Sequence, residues 1–281
     1  MLTGKKLIAD VDSCQLKPGE LALWWLGQLG FIVKMGKTVA YLDAYLTPKS
    51  SRLVPPLLKP EQVANAAFIC GTHDHGDHID RSVWPALAAA APTAKFVVPD
   101  LLREMLAREL GIPLERFIGL DDGKTMVAAA PASSGQDGGL KISAVAAAHE
   151  FLDQDPASGR YPHLGNILEG NGCTLYHSGD CCIYEGLQTK LRRWRFDVVM
   201  LPINGRDAQR LSRNCIGNMT YQEAADLAGA LQPRLTIPGH YDMFEGNLGD
   251  PAAFGDYMQV KYSKLKVHVC GHGRRFVLGR D

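Results

Sequence analysis

The sequence predicts a mixed α/β (α+β) fold, two sheets stacked together with helices on their outer faces. Three observations predict it. Hydrophobic residues make up 46% of the 281 and charged residues 21%, the balance of an ordinary globular chain able to bury a large core. Short apolar runs punctuated by glycine recur along the whole length, as strands do. These runs come in groups with helix signals between the groups, an order that suits two sheets covered by helices. No short-period repeat, low-complexity tract or linker interrupts them, so one domain over residues 1–281 is the simplest organisation.

In chain order, Leu21–Leu26, Phe31–Met35 and Thr38–Leu42 read as a meander broken at Gly27, Gly30 and Gly36 and ending at Asp43. A loop through Pro48, Pro55, Pro56 and Pro60 leads to a strand over Ala67–Cys70. An alanine-rich helix over Ser82–Ala91 and a strand over Lys95–Val98 follow. Asp100 reads as the N-cap of a helix over Leu101–Leu110, stopped by Gly111. Strands are predicted near Lys124–Ala129, Leu140–Ala147, Asn166–Leu168, Thr174–Tyr176 and Phe196–Leu201. Thr220 and Glu223 make a capping box that opens a helix ending near Leu231. Arg234–Ile237, Val267–Val269 and Arg275–Leu278 are the last strands.

Charge and cysteine usage exclude several classes. The formal net charge is zero, so no overall field attracts nucleic acid or an anionic membrane. The one basic cluster, Lys190 to Arg195, is short and reads as a solvated helix end. The first residues lack the apolar segment of a signal peptide, and no stretch approaches a membrane span. Seven cysteines without a C-x-x-C pair argue for reduced thiols and a cytoplasmic location.

The chemistry concentrates in Thr72-His73-Asp74-His75-Gly76-Asp77-His78, placed where the apolar run Ala67–Cys70 ends in a loop. Three imidazoles and two carboxylates in seven residues point to a metal site. One loop cannot surround two ions, and three other apolar strands end in a ligand-type residue. These give His149, then His177-Ser178-Gly179-Asp180, then His240 after Pro238-Gly239. Convergence of the four strand ends on one rim would assemble five histidines and two carboxylates. Without cysteine, such a set suits divalent Zn or Mn, or Fe, as one or two ions per chain.

The order and type of these residues resemble the metallo-β-lactamase superfamily over nearly the whole chain. The resemblance implies a four-layer αββα sandwich with metals at one edge of the sheets. It implies that His73, His75 and His149 hold one metal, that Asp77, His78 and His240 hold a second, and that Asp180 bridges them. It also implies that Asp43 supports the His loop from behind, and His177 is a further candidate for such support. His75 stands where the oxygen-reducing di-iron members carry Glu, so a redox role is disfavoured. The implied reaction is hydrolysis by a metal-activated hydroxide, with Asp77 or Asp180 moving the proton.

Several segments are similar to the L-ascorbate-6-phosphate lactonase family: Trp24 to Phe31, Leu42 to Leu46, Tyr176 to Asp180, Leu201 to Asp207, and Pro238 to Phe244 with Asn247. The chain departs from that family at Cys181, where Thr is usual, and at Ala44, where Pro is commoner. The resemblance implies a lactonase acting on a small anionic, phosphorylated sugar lactone, and a homo-oligomer. Asn204, Arg206, Asp207, Arg210 and Asn218 follow a strand end on the same rim, with Arg213 and Asn214. Arg forks suit phosphate and Asn suits sugar hydroxyls, so Arg206 and Arg210 are candidates to grip the anion. The bland alternative is a surface loop whose charges pair internally. Two other functions fit the fold: a metal-dependent phosphodiesterase or nuclease, and a non-catalytic metal-binding protein. Neutral charge argues against the former and the full ligand set against the latter.

Overall fold

The computed structural model describes residues 1–128 and 139–279. Helix α1 (Gly4–Ser13) precedes strands β1 (Leu21–Gly27), β2 (Gly30–Met35) and β3 (Thr38–Leu42). Next come β4 (Phe68–Cys70), α2 (Trp84–Ala90), β5 (Lys95–Pro99), α3 (Asp100–Leu110) and β6 (Phe117–Leu120). The chain then forms β7 (Thr125–Ala128), β8 (Leu140–Ala146), β9 (Leu164–Gly170) and β10 (Cys173–His177). After α4 (Leu187–Leu191) and β11 (Val198–Pro202) come α5 (Ala208–Leu211), α6 (Tyr221–Leu231) and β12 (Leu235–Gly239). Helix α7 (Pro251–Lys261) and β13 (Arg275–Leu278) close the described chain.

The strands form two mixed sheets, ordered β13-β1-β2-β3-β4-β5-β6 and β12-β11-β10-β9-β8-β7. In the first, β3 to β6 are parallel, and in the second β10 to β12 are. Alternation along β1 explains the stacking. Leu21, Leu23 and Trp25 join a core shared with the second sheet, while Ala22, Trp24 and Leu26 join another core beneath α1, α2 and α3. Burial on both faces is why these strands are continuous apolar runs instead of alternating ones. Helices α6 and α7 cover the second sheet through Leu227, Phe254 and Met258. The result is the expected sandwich of two sheets flanked by helices.

The capping box at α6 forms as expected, with Thr220 N–H donating to Glu223 Oε2 at 2.8 Å and Glu223 N–H to Thr220 Oγ1 at 3.2 Å. Other expectations are corrected. Asp100 is the first residue of α3 and Pro99 its cap, because the ψ of 132° at Pro99 lies outside the helical region. Near Val267–Val269 there is one isolated bridge from Val267 to Thr236 instead of a strand. The strand expected over Lys124–Ala129 is β7, and its last residue, Ala129, lies outside the described residues. Helix α1 has Thr3 at its N-cap without a side-chain capping bond; the buried Lys34 ammonium closes its other end, donating to Val11 O at 2.7 Å and Asp12 O at 3.1 Å. None of the seven cysteines is in a disulfide, and six of them are buried. No helix among the described residues is long and apolar enough to cross a membrane.

Candidate metal centre

Five strands deliver the site: β3 ends at Asp43, β4 at the His73–His78 loop, β8 just before His149, β10 just before Asp180, and β12 at His240. Asp43 is the anchor beneath. Its Oδ1 accepts from Thr72 N–H at 2.9 Å, and its Oδ2 from Thr72 Oγ1 at 2.7 Å and from His78 Nδ1 at 2.6 Å. That last bond fixes the tautomer of His78 and turns its Nε2 into the site, as outer carboxylates do for metal-binding imidazoles. The second sheet meets this loop through Gly179. Its φ is +60°, and a Cβ there would sit 2.8 Å from both Leu164 O and Thr72 Cβ, so only glycine allows the approach. Cys182 N–H donates to Ala148 O at 2.6 Å, tying the Asp180 loop to the segment carrying His149.

The side chains expected to act together do meet. Three groups of donor atoms lie within 4.8 Å of one another: His73, His75 and His149; His73, His78 and Asp180; Asp77, His78 and His240. Asp180 faces both halves, with Oδ2 at 3.1 Å from His240 Nε2 and 3.7 Å from His149 Nε2. His78 Nε2 and Asp180 Oδ1 are buried, 3.3 Å apart, and neither makes a hydrogen bond. Buried polar atoms without a protein partner need another one. Imidazole and carboxylate donors at this spacing fit divalent ions. His177 lies apart from these groups; its Nε2 donates to Leu29 O at 2.8 Å and steadies the turn between β1 and β2.

Electrostatics divide the site in two. Burial lowers the pKa of His73 well below its ordinary value, and neighbouring His78 adds to this. Burial also lowers His149, to about 4, against the pull of Asp180. At His78 burial again acts downward, but the Asp180, Asp77 and Asp43 carboxylates outweigh it and hold the pKa well above the usual range. The same contest at His240, against Asp180 and Asp77, ends at about 9. Burial alone would raise Asp77 and Asp180, yet the imidazoles beside them hold both below the ordinary carboxylate range. His73 and His149 are therefore neutral imidazoles ready to donate, and the other half balances its carboxylates with protons.

A cavity of about 560 Å³ opens over the site, and His75, Asp77, His149, Asp180 and His240 line it. Its outer wall includes Tyr45, Lys49, Phe244, Arg213, Asn214 and Asn247. Buried Asp80 accepts from Leu46 N–H at 2.9 Å and Thr47 N–H at 2.8 Å, and Arg52 Nη1 donates to Tyr45 O and Thr47 O at 3.0 Å, so the loop carrying Tyr45 and Lys49 is built.

Asn204, Arg206, Asp207, Arg210 and Asn218 do not line the cavity. Arg206 forks onto Glu223 with two bonds of 2.7 Å, Arg210 donates to Asn204 O and to Leu248 O, and Asp207 caps α5 by accepting Arg210 N–H at 2.8 Å. Asn204 bonds Asn247 at 2.6 Å and Asn218 at 3.2 Å, an amide network behind the wall. The loop is thus held by its own charges, and Arg213 is the guanidinium it presents to the cavity.

Sequence reasoning missed Gln28 and Lys49, and left His163 as a structural or supporting histidine. Gln28 Nε2 donates to Asp77 Oδ2 at 2.9 Å. The His163 ring lies 5.3 Å from that of His73 and 5.6 Å from that of His149. The β8–β9 hairpin register, Ala146 opposite Leu164, places His163 at the same rim.

Similarity to known proteins agrees with this geometry. The family model described as beta-lactamase superfamily domain matches residues 39–241. A UPF0173 metal-dependent hydrolase of Aeropyrum pernix is 28% identical over 90% of this chain and 96% of its own. The solved metallo hydrolase Igni18 of Ignicoccus hospitalis superposes with TM-score 0.69 at 21% identity, over 93% of this chain and 100% of its own. An isothiocyanate hydrolase from Delia radicum gut bacteria superposes with TM-score 0.70 at 16% identity, over 92% and 100%. The last two likenesses speak to fold. Matched over residues 39–241, the chain belongs to the β-lactamase superfamily domain family and has the metallo-β-lactamase fold of metal-dependent hydrolases.

Proposed function

We propose that this metal-dependent hydrolase opens a carboxylic ester ring in a small anionic molecule, a lactone of a phosphorylated sugar acid. One observation carries the reading: the ligand cluster and two cations, Lys49 and Arg213, line the same cavity. Among the described residues neither cation has an ion-pair partner, and Arg213 uses only its Nε, on Gln209 O at 3.2 Å. Phosphate or carboxylate suits such groups. The Asn214 and Asn247 amides suit hydroxyls, and the Tyr45 and Phe244 rings, 6.3 Å apart, offer an apolar face to a sugar ring.

His73, His75 and His149 would hold one divalent ion and Asp77, His78 and His240 another, with Asp180 between them. Ions held there supply Lewis acidity and a water acidified toward neutral pH. The chain does the rest. Asp43 and Gln28 orient His78 and Asp77 through their bonds of 2.6 Å and 2.9 Å. Asp77 and Asp180 are ionised and face the cavity, so either accepts a proton at a carboxylate oxygen from the attacking water. It returns that proton to the alcohol oxygen released as the ring opens.

The test counts metal per purified chain and assays sugar lactones with and without a phosphate, phosphodiesters and a β-lactam, before and after EDTA. The expected result is turnover of the phosphorylated lactone, abolished by EDTA and restored by Mn²⁺ or Zn²⁺. Turnover of phosphodiesters alone would overturn the lactonase reading, and a chain that takes up no metal would overturn the hydrolytic one.

A further inference from the structure

We infer that Gln28 is a positioning residue for the Asp77–His78–His240 ligand group, an inference that rests on the metal reading above. Gln28 is fully buried in the turn between β1 and β2, with φ at 56°, the left-handed region that most side chains avoid. Three main-chain hydrogen bonds hold it there. Its N–H donates to Asp242 Oδ1 at 2.8 Å, and its carbonyl accepts from His240 N–H at 2.7 Å and from the Trp25 indole at 3.0 Å. From that seat Nε2 donates to Asp77 Oδ2 at 2.9 Å and lies 3.3 Å from His240 Nε2. Two oxygens facing each other would repel, so the nitrogen is the atom that meets the carboxylate.

A packing role alone does not account for this carboxamide. Its Oε1 is buried without a hydrogen-bond partner, a cost that an apolar side chain of the same size would avoid. The bond from Nε2 is what the amide supplies in return. It occupies Asp77 Oδ2, which otherwise stands 3.6 Å from His240 Nε2 and 3.7 Å from His78 Nε2 and is free to close onto either imidazole. Held by a neutral donor, the carboxylate stays oriented without the charge that a Lys or Arg would bring beside a cation. The turn thus places one residue against two ligands, through its main chain at His240 and its side chain at Asp77. Backbone strain kept in place by surrounding bonds is a recurrent mark of such roles.

The test titrates Zn²⁺ into metal-free protein against a competing chelator, with wild type beside Gln28→Asn and Gln28→Met. Asn tolerates the left-handed backbone and stops one methylene short of Asp77; Met keeps the length and loses the donor. Melting of the metal-free proteins is followed in parallel. In each variant one of the two Zn²⁺ steps is expected to weaken by about 10–100-fold while the other is unchanged. In a His240→Ala background, where that ligand group is already broken, neither substitution should have a further effect. Wild-type affinities in both variants, or equal weakening of both steps in line with a lower melting temperature, would overturn the positioning role. Wild-type protein that binds no Zn²⁺ would instead overturn the metal reading beneath it.

Discussion

The His73–His78 loop and the Asn204–Asn218 loop both follow a strand end on the same rim, and both are dense in polar side chains. In the first, four donors turn toward a shared centre, because Asp43 and Gln28 hold His78 and Asp77 from behind. In the second, Arg206, Asp207 and Arg210 turn back onto their own chain, and the cavity receives Arg213 and Asn214. The difference lies in what can satisfy each side chain. The buried Nε2 of His78 and Oδ1 of Asp180 find no hydrogen-bond partner in the protein, so they point to an outside ligand. A guanidinium finds a carboxylate wherever the fold offers one, and Glu223 at the first turn of α6 offers one to Arg206.

Five experiments break or sharpen that contrast. Asp180→Ala and His75→Ala, in the first kind of loop or facing it, should lower kcat/KM by roughly a thousandfold or more, with metal per chain falling by elemental analysis. Metal uptake should also depend on pH, and differently in the two halves of the site. In the metal-free protein His240 keeps its proton up to about pH 9 and an ion must displace it. His78 is raised likewise, so affinity at the Asp77–His78–His240 group should rise with pH by about tenfold per unit for each of the two protons displaced. His149, with its pKa at about 4, gives no such slope at neutral pH. The same shift sets a stability trend: protonated His240 stabilises the metal-free fold fully below its ordinary value of 6.5, and the benefit is lost as pH rises through about 9. Melting of EDTA-treated protein should accordingly fall between neutral pH and pH 10.

Lys49→Ala with Arg213→Ala should raise KM for a phosphorylated lactone by about 10–100-fold, leaving kcat and the unphosphorylated analogue little changed. An equal effect on both substrates would remove the anion from the reading. Arg206→Ala has the smallest expected effect, a loss of about 1 kcal/mol of stability from a half-exposed ion pair that also borders the α6 cap. Its KM should shift equally for both substrates. A selective rise for the phosphorylated one would return Arg206 to the binding site.

Sheets and strand ends were legible because strands buried on both faces are unbroken apolar runs, and four of them run on into a residue type that has no use in a core. The His loop, His149, Asp180 and His240 all followed from that one pattern. Helix α1 was not legible: it buries only Leu7 and Val11 and is closed by a lysine from another strand. Gln28 carries no charge and sits in a turn, so nothing in its neighbourhood announces the bond to Asp77, 49 residues away. Lys49 and Arg213 face the cavity only because of how Asp80 and Gln209 hold their loops, which residue type does not encode.

The ligand side chains come from both sheets, His73 to His78 from the first, and His149, Asp180 and His240 from the second. Each ligand group therefore straddles the gap between the two layers. Bound ions would join the two layers along a single rim, so the supply of metal in the surroundings would become a control on how tightly the sandwich is shut there. An ion present at a hundred times its dissociation constant adds about 2.7 kcal/mol to the folded state. Starving the protein of metal should speed amide hydrogen exchange at the ends of β4, β10 and β12 and leave the far strands β6 and β7 as they were. A chain of this build would register metal scarcity in its structure as well as in its activity.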